Sequence, residues 1–220
     1  MRLEQGRDRN PSRPVVESLA RVLRLDGDAA AHLHELAAPS CSSRSTATEH
    51  VSAELRRLMD GWTANPALIL GRRFDILAAN PLGAALFPTT NLVRLVFQPE
   101  GRLFYPNWET VAHTTVAGLR AAADPADPEL QRMVAELRDM SPEFDRLWSR
   151  HDVAVKTDEA KRVIHPDVGA LTLTYDTFTV NAAPGQQLVV YQAELQSPSE
   201  HALTLLGIIA TDPDRVPRQR

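Results

Sequence analysis

Leu70-Gly71-Arg72-Arg73-Phe74-Asp75-Ile76-Leu77-Ala78-Ala79-Asn80-Pro81 is the stretch on which the fold turns. The apolar runs flanking Arg72-Arg73-Phe74 read as two short strands, 67–71 and 75–79, joined as a hairpin. Asn80-Pro81 then reads as a helix start, because asparagine accepts from free backbone N–H groups and proline already holds the helical φ. Leu82, Ala85 and Leu86 give that helix one apolar side.

Toward the C-terminus the period stays helical. Trp108, Val111, Ala112, Thr115, Val116, Leu119 and Ala123 form a single stripe with the spacing of one helix face. Asp127-Pro128 and Ser141-Pro142 repeat the cap-then-proline device, the first ahead of Leu130, Met133, Val134 and Leu137, the second ahead of Phe144, Leu147 and Trp148. Beyond His151 the period changes to two. Residues 162–165, 170–178 and 187–195 read as strands separated by Pro166-Asp167-Val168-Gly169 and Ala183-Pro184-Gly185, so consecutive strands are expected to be antiparallel. Leu171, Leu173 and Tyr175 then share a face. A last helix, 200–209, carries Leu203, Leu206 and Ile209. Two strands, a helical middle and three strands make an α+β domain of helices layered on one antiparallel sheet.

Toward the N-terminus, Val51, Leu55, Leu58, Met59 and Trp62 define a helix that Asn65-Pro66 ends, since a residue before proline avoids the helical region. Residues 39–48 are small, polar and without period, a flexible linker. Ahead of it, Ser12 caps a helix over 13–24 with Val15, Val16, Leu19, Val22 and Leu23 on one side, and a second helix runs over 28–37. Two short helices bury too little to stand alone. Their inward faces need a cover, either another domain or a second copy of the chain in a homodimer. The expected organisation is therefore 1–38 helical, 39–48 linker, 49–210 main domain and 211–220 polar tail.

Composition narrows the function classes. The 220 residues are 43% hydrophobic and 24% charged, as in an ordinary soluble protein, and the net charge of -4 argues against nucleic-acid binding by the chain as a whole. Residues 1–24 differ, with six arginines against three carboxylates; such a surface suits phosphate and equally suits a solvated helix. The single cysteine, Cys41, rules out an internal disulfide and fits a reducing compartment. No apolar run reaches the roughly 18 residues of a membrane span. A cytoplasmic location is expected.

The order of Leu70 to Pro81, Asn107-Trp108-Glu109, Ser141-Pro142-Glu143-Phe144, Leu147-Trp148, His151-Asp152-Val153 and His165-Pro166-Asp167-Val168-Gly169 resembles the MmyB-like family of bacterial transcription regulators. That family joins a xenobiotic-response-element type helix-turn-helix to a PAS-like ligand-binding domain and is common in actinomycetes, which suits a chain whose only lysines are Lys156 and Lys161. The resemblance implies a one-component regulator: the PAS-like domain takes a lipophilic small molecule, such as a fatty acid, and DNA binding responds. It implies no cofactor and no metal. Met1 to Arg7 followed by Asn10-Pro11-Ser12 is similar to the end of a recognition helix and its exit, a C-terminal remnant of the helix-turn-helix. Base-reading residues would then precede Arg2, while Arg2, Arg7, Arg9 and Arg13 would face phosphates. As written, the chain is expected to bind DNA weakly or not at all. An alternative is a DNA-independent sensor that pairs with another regulator.

The candidate ligand contacts each have a structural reading beside the functional one. Trp108 and Trp148 either fill the core or line a pocket. Arg73 either pairs with a ligand carboxylate or sits in solvent. Asn80 is a helix cap first. His165, held by Pro166, either meets a ligand head group and titrates near neutral pH or bonds backbone in a turn. Tyr175 offers a hydroxyl on an apolar strand face. Catalysis is the rival class and would use His151-Asp152 or His165-Pro166-Asp167, but His-Glu-x-x-His, Cys-x-x-Cys, Gly-x-Ser-x-Gly and the phosphate-binding glycine loops are all absent from the sequence.

Overall fold

The computed structural model describes residues 50–122, 124, 126–150 and 160–211, together with Val15, Ser18, Arg21, Val22 and Leu23. The chain divides into two compact units, 1–48 and 49–220. In the first, Val15, Ser18, Arg21 and Val22 are helical. The readings made for Arg2, Arg7, Arg9, Arg13, the helix over 28–37, the linker, His151-Asp152-Val153 and the tail after Thr211 lie outside the described residues.

In the second unit the described residues form eight helices and five strands: α1 (Ala53–Asp60), β1 (Ala67–Leu70), β2 (Ile76–Ala79), α2 (Pro81–Leu86), α3 (Leu92–Phe97), α4 (Pro99–Phe104), α5 (Trp108–Ala122), α6 (Pro128–Met140), α7 (Pro142–Ser149), β3 (Lys161–His165), β4 (Gly169–Thr179), β5 (Gln187–Gln192) and α8 (Pro198–Thr211). The strands make one antiparallel sheet in the order β2-β1-β5-β4-β3. The α+β class expected from the sequence is present, helices packing on an antiparallel sheet.

Side-chain alternation sorts the sheet into two faces. Leu68, Leu70, Leu171, Leu173, Val189 and Tyr191 belong to the large core with the helical middle of the chain. Ala67, Ile69, Ala78, Leu188 and Val190 belong to a smaller cluster with Val51 and Met59, so α1 covers the opposite face. All four residues of β1 are buried for this reason, which is why its sequence shows no alternation.

The foreseen helix starts work as their residue types require. Asn80 Oδ1 accepts from Gly83 N–H at 2.8 Å, Asp127 Oδ1 from Glu129 N–H at 2.9 Å and Ser141 Oγ from Phe144 N–H at 3.2 Å. Gly83 has a second reason to be glycine: a Cβ there would lie 2.5 Å from the Ala67 carbonyl, so α2 can rest on the start of β1 only without one. Two helices have no sequence-based expectation behind them. α3 and α4 have six residues each, too few for a 3.6-residue period to show. α3 is fixed by Asn91, whose Oδ1 accepts from Val93 and Arg94 N–H at 2.9 and 3.0 Å.

Between β1 and β2 the hairpin is irregular. The register slips between Ile69 and Leu70, and Phe74 takes a positive φ of 60°, uncommon for an aromatic residue. Its N–H donates to Gly71 O at 3.0 Å and its carbonyl accepts from Leu92 N–H at 3.0 Å, so both neighbours hold the turn in place. The result turns the Phe74 ring inward, toward α5.

Candidate ligand-binding site

α5 carries two different faces. One, with Trp108, Val111, Ala112, Val116 and Leu119, is packed into the core. The next, one step around the helix, reads Thr114, Ala117, Gly118, Ala121 and Ala122, and these short side chains leave the space in front of them unfilled. The opposite wall comes from Leu70 of β1, Tyr175 and Thr177 of β4, and Val189 and Tyr191 of β5, with Phe74, Leu92 and Val96 closing one side. The half-open space is about 470 Å³, inside the range of about 300–1,000 Å³ common for small-molecule sites. Phe74 stands against Gly118: a Cβ on that glycine would meet its ring at 3.3 Å.

Among the described residues that line this space one side chain is charged: Lys161, the first residue of β3, is the single Asp, Glu, Lys, Arg or His of the described lining. Its ammonium sits 5.6 Å from the ring centres of both Tyr105 and Tyr175, within reach of a cation–π attraction. Among the described residues it has no carboxylate partner. By surface area the residue is only half-buried, since it borders the cavity, yet protein surrounds it densely. That burial pushes its ammonium down to about 8. Burial also pushes the Tyr105 hydroxyl up, and the Tyr191 hydroxyl up with the help of Tyr105 and Tyr175 beside it, so both stay neutral donors. Asn107 lines the same cavity, and its Oδ1 is buried without a hydrogen-bond partner. A buried polar atom left unpaired is costly and asks for an explanation.

Of the candidates named from the sequence, Tyr175 lines the cavity and the other five have their places elsewhere. Arg73 reaches Asp127 at 2.8 Å, Glu129 at 2.7 Å and Asp75 at 3.2 Å. Burial would lower its pKa, but the hydrogen bond to Asp127 and the three carboxylates raise it further. Arg73 thus ties the hairpin to the start of α6. Asn80, 1% exposed, spends all four of its bonds on protein. Trp108 donates Nε1–H to the Val96 carbonyl at 2.6 Å, with Arg102 stacked 3.8 Å over its ring and Phe97 edge-on. Trp148 stacks on Phe144 at 5.7 Å, and Arg120 lies over its ring. His165 accepts from Asp167 N–H at Nδ1 (3.2 Å) and meets the Ala85 carbonyl through Nε2 (3.0 Å), so the Nε2-protonated tautomer satisfies both.

These placements make Arg73 testable as a structural tie. Replacing it by Met leaves Asp127, which is 7% exposed, without this cation. We expect a loss of roughly 2–3 kcal/mol in urea unfolding, below the range for a fully buried pair because Arg73 keeps some exposure. Unchanged stability would place its carboxylate contacts in solvent.

The residues that sequence reasoning passed over are Lys161, Asn107, Tyr105, Phe74 and the small-residue face of α5. Some signal existed. A helix whose apolar stripe is bordered by Thr114, Ala117, Gly118 and Ala121 is under-filled on one flank, and Lys161 opens an otherwise alternating strand on its inward side. Neither feature means anything until the helix is known to face the sheet.

Among the described residues no group of His, Cys, Asp and Glu is placed to hold a metal ion, and no helix is long and apolar enough to cross a membrane. No curated protein sequence matches the chain. The family model for the MmyB-like transcription regulator ligand binding domain matches residues 51–206, which takes in every element from α1 to the larger part of α8 and with them the whole cavity wall. The chain belongs to the MmyB-like transcription regulators, through their ligand-binding domain.

Proposed function

We propose that this chain is a one-component regulator whose PAS-like domain takes a lipophilic small molecule, a fatty acid in the first instance, into the cavity between α5 and the sheet. The observation that carries the reading is the cavity itself: about 470 Å³ with mainly aliphatic, aromatic and threonine walls, in a domain of a ligand-binding family. Burying a ligand's alkyl chain there contributes about 0.8 kcal/mol per methylene, so affinity should climb with chain length until the space is full. Tyr175 contacts the ligand. Arg73, Asn80, Trp108, Trp148 and His165 hold the walls in place. The basic N-terminal stretch with Arg2, Arg7, Arg9 and Arg13 supplies only phosphate contacts, so the chain as written binds DNA weakly or not at all, and ligand occupancy acts on DNA binding where a whole helix-turn-helix is present.

The test is direct. Full-length protein, extracted under denaturing conditions, should release lipid detectable by mass spectrometry. After delipidation, decanoate, dodecanoate and tetradecanoate should raise its melting temperature in that order. No released lipid together with no thermal shift would overturn the reading. No stability change on Gly118→Leu combined with loss of the thermal shift would support it independently, because that side chain fills the cavity from the α5 side.

A further inference from the structure

We propose that Phe74 sets the upper limit on ligand size, its ring standing as a plug in the cavity on a turn that the rest of the domain holds from three sides. This rests on the ligand-binding reading above and adds the residue that selects among ligands of one class. Among the described residues other than glycine, only Phe74 and Gln196 have a positive φ, 60° in each case, and of the two only Phe74 lines the cavity. Glycine or asparagine would hold the same turn at lower cost, so the turn itself does not call for phenylalanine. Its effect is to carry the ring to Gly118, the middle of the thin flank of α5, where a single added Cβ would stand 3.3 Å from Cζ. An unfavourable backbone kept at the wall of a binding space points to a use for the side chain it presents.

The turn is pinned to three elements. Arg72 Nη2 donates to the Pro184 carbonyl in the β4–β5 turn at 2.7 Å, and its side chain lies so close over Gly185 that a Cβ there would clash. Arg73 reaches Asp127 and Glu129 at the start of α6. From the start of α3, Asn91 Nδ2 donates to the Arg73 carbonyl at 2.9 Å and Leu92 N–H to the Phe74 carbonyl at 3.0 Å. The ring therefore cannot move aside with its backbone unless these bonds break. A ligand that outgrows the space must break them or leave its end in water. Up to that size each buried methylene raises affinity about fourfold, and beyond it the rise stops.

Delipidated full-length protein, titrated calorimetrically with decanoate, dodecanoate, tetradecanoate and hexadecanoate, reads the limit directly. Wild-type affinity should climb with chain length and level off before hexadecanoate. The ratio of hexadecanoate to decanoate affinity carries the comparison between variants, because a smaller folded fraction cancels in it. Phe74→Gly removes the ring and relieves the positive φ, and should raise that ratio by about tenfold or more, the value of roughly two further buried methylenes. Phe74→Leu keeps most of the apolar packing and should raise it about threefold, which holds the proposal to account even if Phe74→Gly fails to fold. A ring that only filled the core would, on replacement, weaken all four acids alike. Wild-type affinity still climbing at hexadecanoate, or a ratio unchanged within about twofold in a folded Phe74 variant, would overturn the assignment to Phe74 and leave the cavity reading standing. Absence of binding of all four acids by wild type overturns both.

Discussion

Asn80→Ala lowers the stability of the domain by roughly 3–5 kcal/mol and its melting temperature by roughly 10 °C. The effect is far above that of an ordinary helix cap, about 1 kcal/mol, because this side chain serves four backbone groups from three segments. Oδ1 accepts from Gly83 N–H at 2.8 Å and Ala67 N–H at 3.0 Å, while Nδ2 donates to the carbonyls of Trp62 at 2.7 Å and Asn65 at 2.8 Å. Removing it orphans buried donors and acceptors at the point where α1, β1 and α2 meet. Asn80→Asp provides the discriminating control. A plain cap tolerates aspartate, which also suits the helix dipole. Here a carboxylate would face two carbonyl oxygens, so the aspartate variant should also be destabilised, and less so once acid protonates it. Denaturant unfolding of both variants checks this; an aspartate variant as stable as wild type would reduce Asn80 to a cap.

Trp108→Ala costs about 3–5 kcal/mol, the usual range for truncating a buried tryptophan. The ring is 8% exposed and bridges α3 and α5, through its hydrogen bond to Val96 at one end and the edge-on contact with Phe97 at the other. Trp108→Phe restores most of the volume and leaves the Val96 carbonyl short of a donor, so it should lose about 1–3 kcal/mol. Because Trp108 is not among the residues lining the cavity, the folded fraction of Trp108→Phe should bind dodecanoate with affinity unchanged within about twofold. Circular dichroism melts and calorimetry on the same sample separate the two effects. A variant of normal stability with weakened ligand binding would move Trp108 from the core into the site.

Asn80 and Trp108 also show how far local pattern reaches. For both, residue type and spacing predicted the element: Asn-Pro a helix start, Trp-x-x-Val-Ala a helix face. Neither pattern could report that Asn80 would bond two distant carbonyls, or that Trp108 would dock on a helix too short to be seen in advance. Arg73 makes the same point with charge. Its sequence neighbours left it between ligand partner and solvated hairpin residue, and Asp127, more than fifty positions along the chain, took it.

Near neighbours in the chain were enough to set most of the elements, α3 and α4 excepted. Helix starts at Asn80-Pro81, Asp127-Pro128 and Ser141-Pro142, the stripe from Trp108 to Leu119, and the alternation of Leu171, Leu173 and Tyr175 are set by capping bonds, helical period and strand pleat. Those act over four residues or fewer, so the class and the family resemblance could be read from them. Which strand lies beside which, and with it the site, came from the folded chain and from nothing shorter. β1 pairs with β5 across more than a hundred residues, and that pairing brings Leu70, Val189 and Tyr191 into one wall. Only then does the thin flank of α5 become a cavity and Lys161 a cation inside it. A cavity is the volume that side chains of distant elements fail to fill, and no segment of sequence carries that information locally.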